Sequence, residues 1–293
     1  MADRRVLVTG ASGFVGRQIV AALSALGVEA LSGAIPRPDL LAPGAPRALI
    51  AATRPDTLIH AAWVTRQGVY WDSEENLAWV AASLDLLRAF AAAGGKRFVL
   101  VGTCAEYDWT RPTATPWRET RRTSPGSLYG AAKFATWTAA SAFATQAGLS
   151  AACARLFMPV GRHEAPGRLL PSLIAAVLDG TELRVGPADL TRDLMDARDA
   201  GEAIARIALS ESQGPVNIGT GRPVMLGELA RAVAGGASHR IRLGGRAPRP
   251  GEPLWMVADP TRLLRATGFT PRHELADTIA DAIAFWRATR RPK

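Results

Sequence analysis

Cysteine is nearly absent from this chain of 293 residues, with Cys104 and Cys153 its two examples. Two thiols cannot build a disulfide framework, and no Cys-x-x-Cys pair offers a metal-ligand spacing. A reducing compartment fits, and a cytoplasmic location is expected. No run of 18 uninterrupted apolar residues occurs, which argues against a membrane span. The apolar stretch after Met1-Ala2-Asp3-Arg4-Arg5 is too short for a signal-peptide core. The net charge of +9 comes almost entirely from arginines scattered without a dense run or interleaved aromatics. That distribution points away from nucleic acid and toward anionic small molecules. There is no internal repeat or low-complexity tract. What is present is apolar: 48% of the residues are hydrophobic, enough for the core of one large or two modest domains.

Scarcity gives weight to one stretch. Tyrosine occurs three times (Tyr70, Tyr107, Tyr129) and lysine three times (Lys96, Lys133, Lys293), yet Tyr129-Gly130-Ala131-Ala132-Lys133 sets one of each four residues apart. On a helix the two share a face, with Cβ atoms about 5–6 Å apart. A cation beside a phenol favours the phenolate and brings it toward proton exchange at neutral pH. The plain alternative is a surface helix pair, so the surroundings matter.

Residues Arg5 to Thr9 predict a buried strand, followed by Gly10-Ala11-Ser12-Gly13-Phe14-Val15-Gly16 opening a helix that ends before Gly27. Strand, glycine turn and helix N-terminus together cradle a pyrophosphate, because glycine lets the backbone approach and free amides favour an anion. Ser12, Phe14 and Val15 join the three glycines as candidate cofactor contacts. A second strand, Val28 to Leu31, ends at Ser32-Gly33 without the acid that would meet a ribose 2′-hydroxyl. Arg37 follows and suits a 2′-phosphate, so NADP is favoured over NAD; Asp39 is a candidate adenine contact. Asp56 to Ala62 predicts a strand whose small carboxyl-terminal residues, Ala61 and Ala62, lie where doubly wound sheets bind ligands. His60 is read as a hydrogen-bonded structural residue.

A long helix, Glu74 to Ala93, precedes a strand at Arg97 to Val101, with Thr103 projecting a hydroxyl beyond its end. A polar loop, Asp108 to Pro125, leads into the helix bearing Tyr129 and Lys133, and Ser150 to Leu156 forms another strand. This alternation predicts an α/β fold, a doubly wound parallel sheet with helices on both faces. Beyond Pro159 the alternation fades into helices at Leu169 to Leu178 and Ala200 to Leu209, a loop between them from Gly180 to Thr191, a short strand at Val216 to Ile218, and helices starting near Leu226, Thr261 and Leu275. A smaller mixed α/β lobe is expected there. Residues 1–165 would bind the dinucleotide, with a returning segment near 192–218, and residues 166–293 would form mainly the substrate lobe.

The glycine turn at Thr9 to Gly16, Thr103, and Tyr129-x-x-x-Lys133 together resemble the extended short-chain dehydrogenase/reductase family, in particular its nucleotide-sugar epimerases, dehydratases and reductases. The resemblance implies a Rossmann domain, an NAD(P) cofactor and a sugar-nucleotide substrate. It makes Tyr129 the acid/base, Lys133 the group that tunes it and holds the nicotinamide ribose, and Thr103 a hydrogen-bond partner of the reacting oxygen. Thr191-Arg192-Asp193-Leu194-Met195 looks like a diphosphate-contacting segment, Val216 to Gly221 resembles the family's Asn-Ile-Gly segment, and Arg249-Pro250-Gly251-Glu252 is similar to a late segment that closes over the nucleotide. Arg192, Arg249, Arg168 and Cys104 are thus candidate substrate contacts. Met158 stands where many members carry an Asn. Thr103 is followed by Cys104-Ala105 rather than the Asp-Glu of 4,6-dehydratases, with Glu106 one place late, so dehydration loses ground. Reduction of a 4-keto-6-deoxy sugar nucleotide leads, with an NAD-dependent epimerase as the alternative, for which Cys104 and His163 are a conceivable acid/base pair. A non-catalytic dinucleotide-binding regulator is the reading from another class. A homodimer pairing the helices Glu74 to Ala93 and Leu128 to Ala147 is expected by the same resemblance.

Overall fold

The apolar strand Val6–Thr9 is buried at every position, as a parallel strand covered on both faces must be. Val6 and Val8 point to one face of the sheet and Leu7 to the other, the period-two alternation of a strand. In this computed structural model, which describes residues 4–31, 39–244 and 251–289 apart from the Leu183 side chain, the elements follow in order. They are β1 (Val6–Thr9), α1 (Phe14–Ala25), α2 (Ala45–Thr53), β2 (Thr57–His60), α3 (Glu75–Ala92), β3 (Arg97–Thr103), α4 (Leu128–Gln146), β4 (Ser150–Leu156), β5 (Met158–Val160), α5 (Leu169–Asp179), β6 (Leu183–Val185), β7 (Thr191–Asp196), α6 (Ala197–Leu209), β8 (Gly214–Ile218), β9 (Pro223–Met225), α7 (Leu226–Ala234), β10 (Ile241–Leu243), β11 (Trp255–Met256), α8 (Thr261–Thr267) and α9 (Leu275–Thr289).

The main sheet has the order β1-β2-β3-β4-β8, every neighbouring pair parallel. Helices α1 and α6 cover one face through Ile19, Leu23, Ala200, Ala203 and Ile204. Helices α2, α3 and α4 cover the other through Leu49, Ile50, Leu86, Leu87, Phe90 and Trp137. This is the Rossmann-type α/β architecture that the strand and helix alternation predicts. The close approach of α1 and α6 depends on Gly201, where a Cβ would stand 2.5 Å from the Gln18 backbone.

Three details differ from the sequence reading. The expected strand Val28 to Leu31 is a single parallel bridge between Ala30 and Val6, at an edge where Glu29 is exposed. The segment near 192–218 returns to the main sheet only in part: α6 and β8 do, whereas β7 joins a second sheet between β5 and β11, with β9 antiparallel beside it. The expected loop between Gly180 and Thr191 contains β6, paired in parallel with β10. A separate apolar cluster of Val160, Leu170, Leu173, Ile174, Leu194, Leu229, Val233 and Ile279 fills the space between these short strands and α5, α7 and α9. Among the described residues, no helix is long and apolar enough to cross a membrane.

Candidate active site

The chain leaves β1 toward Ala30 and crosses back to β2 on the other side, so the carboxyl ends of β1 and β2 diverge at a switch point of the sheet. Gly10 turns there with φ +70, and a Cβ on it would lie 2.7–2.8 Å from the backbone of Ala61 and Ala62. A Cβ on Gly16 would approach the Gly10 carbonyl oxygen to 2.0 Å, while the Gly13 amide donates to that oxygen at 2.9 Å. The turn is therefore pressed between α1 and the end of β2. At the N-terminus of α1, Gly13 provides no side-chain cap and the first turn holds no acid, so its amides face outward with the positive end of the helix dipole. Backbone amides, a cradle that any Cβ would fill and an uncapped helix end fit the pyrophosphate of a dinucleotide. Ser12 is exposed and Phe14 and Val15 are half-buried around the turn. Asp39 uses its carboxylate to accept the Leu41 amide at 3.0 Å. Arg37 lies outside the described residues.

His60, at the end of β2, is buried with both ring nitrogens engaged. Ser83 donates its hydroxyl to the Trp79 carbonyl at 2.6 Å and so accepts from His60 Nε2 at 2.8 Å. His60 Nδ1 then accepts from Thr9 Oγ1 at 2.7 Å, which assigns the tautomer from the network. Burial, with Lys133 nearby, pulls this imidazole down to about 3. It is a neutral tie between β1, β2 and α3.

Thr103 ends β3. Its amide donates to Glu106 Oε1 at 2.9 Å and its hydroxyl accepts from the Ala105 amide at 3.2 Å, a reciprocal cap on the turn Cys104–Glu106. Glu106 is fully buried and paired with Arg155 at 2.9 Å. Ser127 caps α4 by accepting the Gly130 amide at 3.1 Å. Gly130 itself fits against the Ala105 carbonyl, which a Cβ would meet at 2.4 Å. The first turn of α4 is thereby pressed onto the turn after β3, which brings the Tyr129 phenol beside Thr103. Burial pushes that phenol above its ordinary range, reinforced by Tyr70 and Cys104; the Thr103 hydroxyl and the charge of Arg168 act in the opposite direction.

Lys133 shares the helix with Tyr129, but its ammonium donates to the Val101 carbonyl at 2.9 Å and sits 4.0 Å from the Trp63 ring centroid. Burial pulls it down to about 7, against the opposing influence of Cys153 and Glu106. The spacing thus places the two side chains on one face, while the end of the longer one reaches a carbonyl near the carboxyl end of β3.

Three aromatic residues wall the phenol. Tyr70 and Trp71 lie edge-on to Tyr129 with centroids 5.0 and 5.6 Å away, and Trp109 packs on Trp71 at 5.8 Å. The Tyr129 amide donates to the Trp71 carbonyl at 3.0 Å, and the Trp109 indole donates to the Cys104 carbonyl at 3.1 Å. The contacts of Tyr70 and Trp109 were not assigned from sequence; the available signal was the crowding of Trp63, Tyr70 and Trp71 just beyond a strand end. Cys104 is buried among Tyr107, Trp117, Phe157 and Met256, and burial pushes its thiol up to about 12. His163 is exposed against Phe285 of α9, so the structure gives these two residues separate surroundings.

The second lobe brings further candidates. Arg168 reaches the Thr65 carbonyl at 3.3 Å and lies 5.3 Å from the Tyr70 ring centroid. Arg192 is buried near Cys104, donating to the Pro253 carbonyl at 2.9 Å and to Glu252 at 2.8 Å. Its neighbour Asp193 turns inward, accepting the amides of Thr220, Gly221 and Ala258. A Cβ on Gly219 would stand 2.6 Å from that carboxylate, a structural reason for glycine after Asn217-Ile218. Asn217 also faces inward, accepting from the Tyr107 hydroxyl at 2.6 Å and donating to the Trp117 carbonyl at 2.7 Å. Arg249 lies outside the described residues. Beside Arg168, a cavity of about 660 Å³ opens between Gln67, Gly167, Ser172, Val185 and Leu226, with Arg184 and Arg242 at its edge. That is a volume suited to a small organic ligand.

The arrangement combines an anion cradle, a Thr103 hydroxyl beside the half-buried Tyr129 phenol, and a cavity edged by Arg184 and Arg242, each paired with Glu182. A profile of the NAD dependent epimerase/dehydratase family matches residues 6–219. The chain is 32% identical over 309 residues to a dTDP-6-deoxy-L-talose 4-dehydrogenase (NAD(P)(+)) of Kitasatospora kifunensis, covering 96% of this chain and 95% of that protein. It is 25% identical over 298 residues to a GDP-6-deoxy-D-mannose reductase of Pseudomonas aeruginosa, covering 97% and 98%. Its fold superposes on a Thermus thermophilus UDP-glucose 4-epimerase in complex with NAD with a TM-score of 0.85 at 26% identity, covering 98% of this chain and all of the other. The glycine turn and the Tyr129 helix both fall inside the matched region, and the chain belongs to the NAD-dependent epimerase/dehydratase family of extended short-chain dehydrogenases/reductases.

Proposed function

We propose that this protein is an NAD(P)-dependent oxidoreductase that reduces a 4-keto-6-deoxy sugar nucleotide, with Tyr129 as the proton donor. The observation that carries the reading is the Tyr129 phenol set beside Thr103 by the packing of Gly130 against the Ala105 carbonyl, at the carboxyl ends of the strands that also carry the glycine cradle. Residues 1–165 would hold the dinucleotide through Gly10, Ser12, Gly13, Phe14, Val15, Gly16, Asp39, Ala61 and Ala62. Residues 166–293 would supply most of the substrate lobe, including Arg168, Arg192 and Arg249. The missing acid at Ser32-Gly33 and the presence of Arg37 favour NADP. When bound, the nicotinamide supplies the hydride for the sugar carbon. Thr103 and Tyr129 hold the sugar oxygen between their hydroxyls, and Tyr129 passes its proton to that oxygen as charge builds there. Lys133, with donors left beyond its bond to the Val101 carbonyl, would hold the nicotinamide ribose. The aromatic wall of Tyr70, Trp71 and Trp109 excludes water from the transfer.

Two placements argue for reduction within the family. Glu106, the carboxylate nearest in sequence to the dehydratase acid position, is sealed in its bond to Arg155. Cys104 is held as a thiol away from His163, which removes the proposed acid/base pair for epimerisation beside a ketone. Purified protein mixed with NADPH and a panel of 4-keto-6-deoxy sugar nucleotides is expected to lose absorbance at the nicotinamide band with at least one of them. No consumption with any, together with tightly retained NAD, would favour the epimerase instead. We further propose a homodimer through α3 and α4, which pack side by side and leave Leu77 exposed.

A further inference from the structure

Two indoles stand beside the Tyr129 phenol, brought there from separate loops. Trp71 comes from the loop after β2, and its carbonyl accepts the Tyr129 amide at 3.0 Å, which ties it to the first turn of α4. Its ring meets the Tyr129 ring edge-on with centroids 5.6 Å apart. Trp109 follows the turn Cys104–Glu106 and meets Trp71 edge-on at 5.8 Å. Its indole N–H donates to the Cys104 carbonyl at 3.1 Å, so the one donor of that ring is spent inside the protein and the rest of its surface is carbon. Both tryptophans are only half-buried, which leaves aromatic surface open beside a reactive hydroxyl.

The apolar surface continues past the indoles. Trp109 and Met158 both pack against the cluster of Cys104, Tyr107, Trp117, Phe157 and Met256. Met158 is half-buried as well, and it stands where many family members carry an Asn. The charge next to Trp109 in sequence is bound elsewhere: Asp108 accepts from the Thr110 hydroxyl at 2.6 Å and pairs with Arg111 at 3.3 Å. A hydroxyl buried against the Trp109 face would therefore lose its water without gaining a partner.

We propose that Trp71 and Trp109 are specificity-determining residues: they seat the C5–C6 end of the sugar and select a 6-deoxy sugar, with its methyl group, over one that carries a 6-hydroxyl. This rests on Tyr129 being the proton donor to the sugar C4 oxygen. With that oxygen between Thr103 and Tyr129, C6 is separated from the reacting carbon only by C5, so it lies within reach of the wall around the phenol. The methyl group and the C5 hydrogen are the apolar end of such a sugar, whereas the hydroxyls on C2 and C3, on the other side of C4, need polar partners when buried. An indole offers contact area to that apolar end at little cost in side-chain freedom.

The test compares dTDP-6-deoxyglucose with dTDP-glucose, and the galacto-configured, UDP-linked and GDP-linked pairs, in the oxidative direction with NADP. In the unsubstituted protein kcat/KM should favour the 6-deoxy sugar by about 100-fold, the scale on which an apolar pocket rejects an added hydroxyl. In Trp109→Gln, which puts hydrogen-bonding groups in place of carbon, that ratio should fall to about tenfold or less, through KM more than kcat, while Trp109→Phe should keep most of it. Both substrates are measured on one preparation, so a smaller folded fraction lowers them alike and leaves the ratio unchanged. Trp71→Gln should move the ratio the same way and serves if Trp109→Gln does not fold. Equal kcat/KM for the two sugars in the unsubstituted protein, or a preference that survives both glutamine variants, would overturn the proposal. If no sugar nucleotide is oxidised, the oxidoreductase reading fails, while the ratio of dissociation constants for the same pairs, from titration calorimetry on NADP-loaded protein, still decides whether the indoles read C6.

Discussion

Tyr129→Phe is expected to lower turnover by about 100- to 10,000-fold, the range that a positioned proton donor contributes, with little change in dinucleotide affinity. Only the hydroxyl is removed. The ring still packs on Tyr70 and Trp71, and the Gly10 to Gly16 cradle makes no use of the phenol oxygen. Steady-state kinetics alongside a fluorescence titration with NADPH would separate the two effects. A parallel collapse of cofactor binding would assign the phenol a structural role, and unchanged turnover would leave the proton without its proposed source. A dinucleotide-binding regulator would keep its function in this variant.

Glu106→Gln should act on a different quantity. The carboxylate meets Arg155 at 2.9 Å with both side chains almost wholly buried, and the Arg155 guanidinium stacks 4.7 Å from the Tyr107 ring centroid. Burial opposes the charge on Arg155, but Glu106 and Tyr107 outweigh it and hold Arg155 above its ordinary range. Neutralising Glu106 leaves a buried cation uncompensated, which costs about 3–5 kcal/mol and lowers the melting temperature by on the order of 10 °C. Pairing the change with Arg155→Met should recover part of the loss, because the remaining charge is removed as well. A dehydratase acid would behave differently: its amide variant would retain stability and lose only elimination. Thermal denaturation of both variants therefore distinguishes a structural Glu106 from a catalytic one.

What could be read from sequence was local. The strand, glycine turn and helix of residues 5–26 declare themselves because their determinants are adjacent, and Tyr129 with Lys133 is visible because helix geometry fixes a spacing of four. The limit of such reasoning appears at the Lys133 ammonium, whose long flexible chain finds the Val101 carbonyl rather than the phenol one turn away. Glu106 meets Arg155 only because β3 and β4 pair in the register Gly102 to Arg155, which no local pattern encodes. Arg168, Tyr70 and Tyr129 come from three separate segments and share a cleft only after both lobes form. The short strands β5, β6, β7, β9, β10 and β11 escaped notice because runs of two to six residues hold too little periodicity to stand out. Arg192 and Asp193 were read as one phosphate-contacting unit, yet adjacent strand residues face opposite ways. The structure gives Arg192 to Glu252 and Asp193 to the loop after β8.

The central claim is that hydride and proton reach the same sugar centre, one from the nicotinamide and one from Tyr129. Its most direct test is reduction of a 4-keto-6-deoxy sugar nucleotide with NADPH deuterated at the transferring position. The account predicts one deuterium at sugar C4 in the isolated product, one equivalent of cofactor oxidised per sugar reduced, and loss of both in Tyr129→Phe. Product formed without deuterium at C4, or without net oxidation of the cofactor, would contradict it.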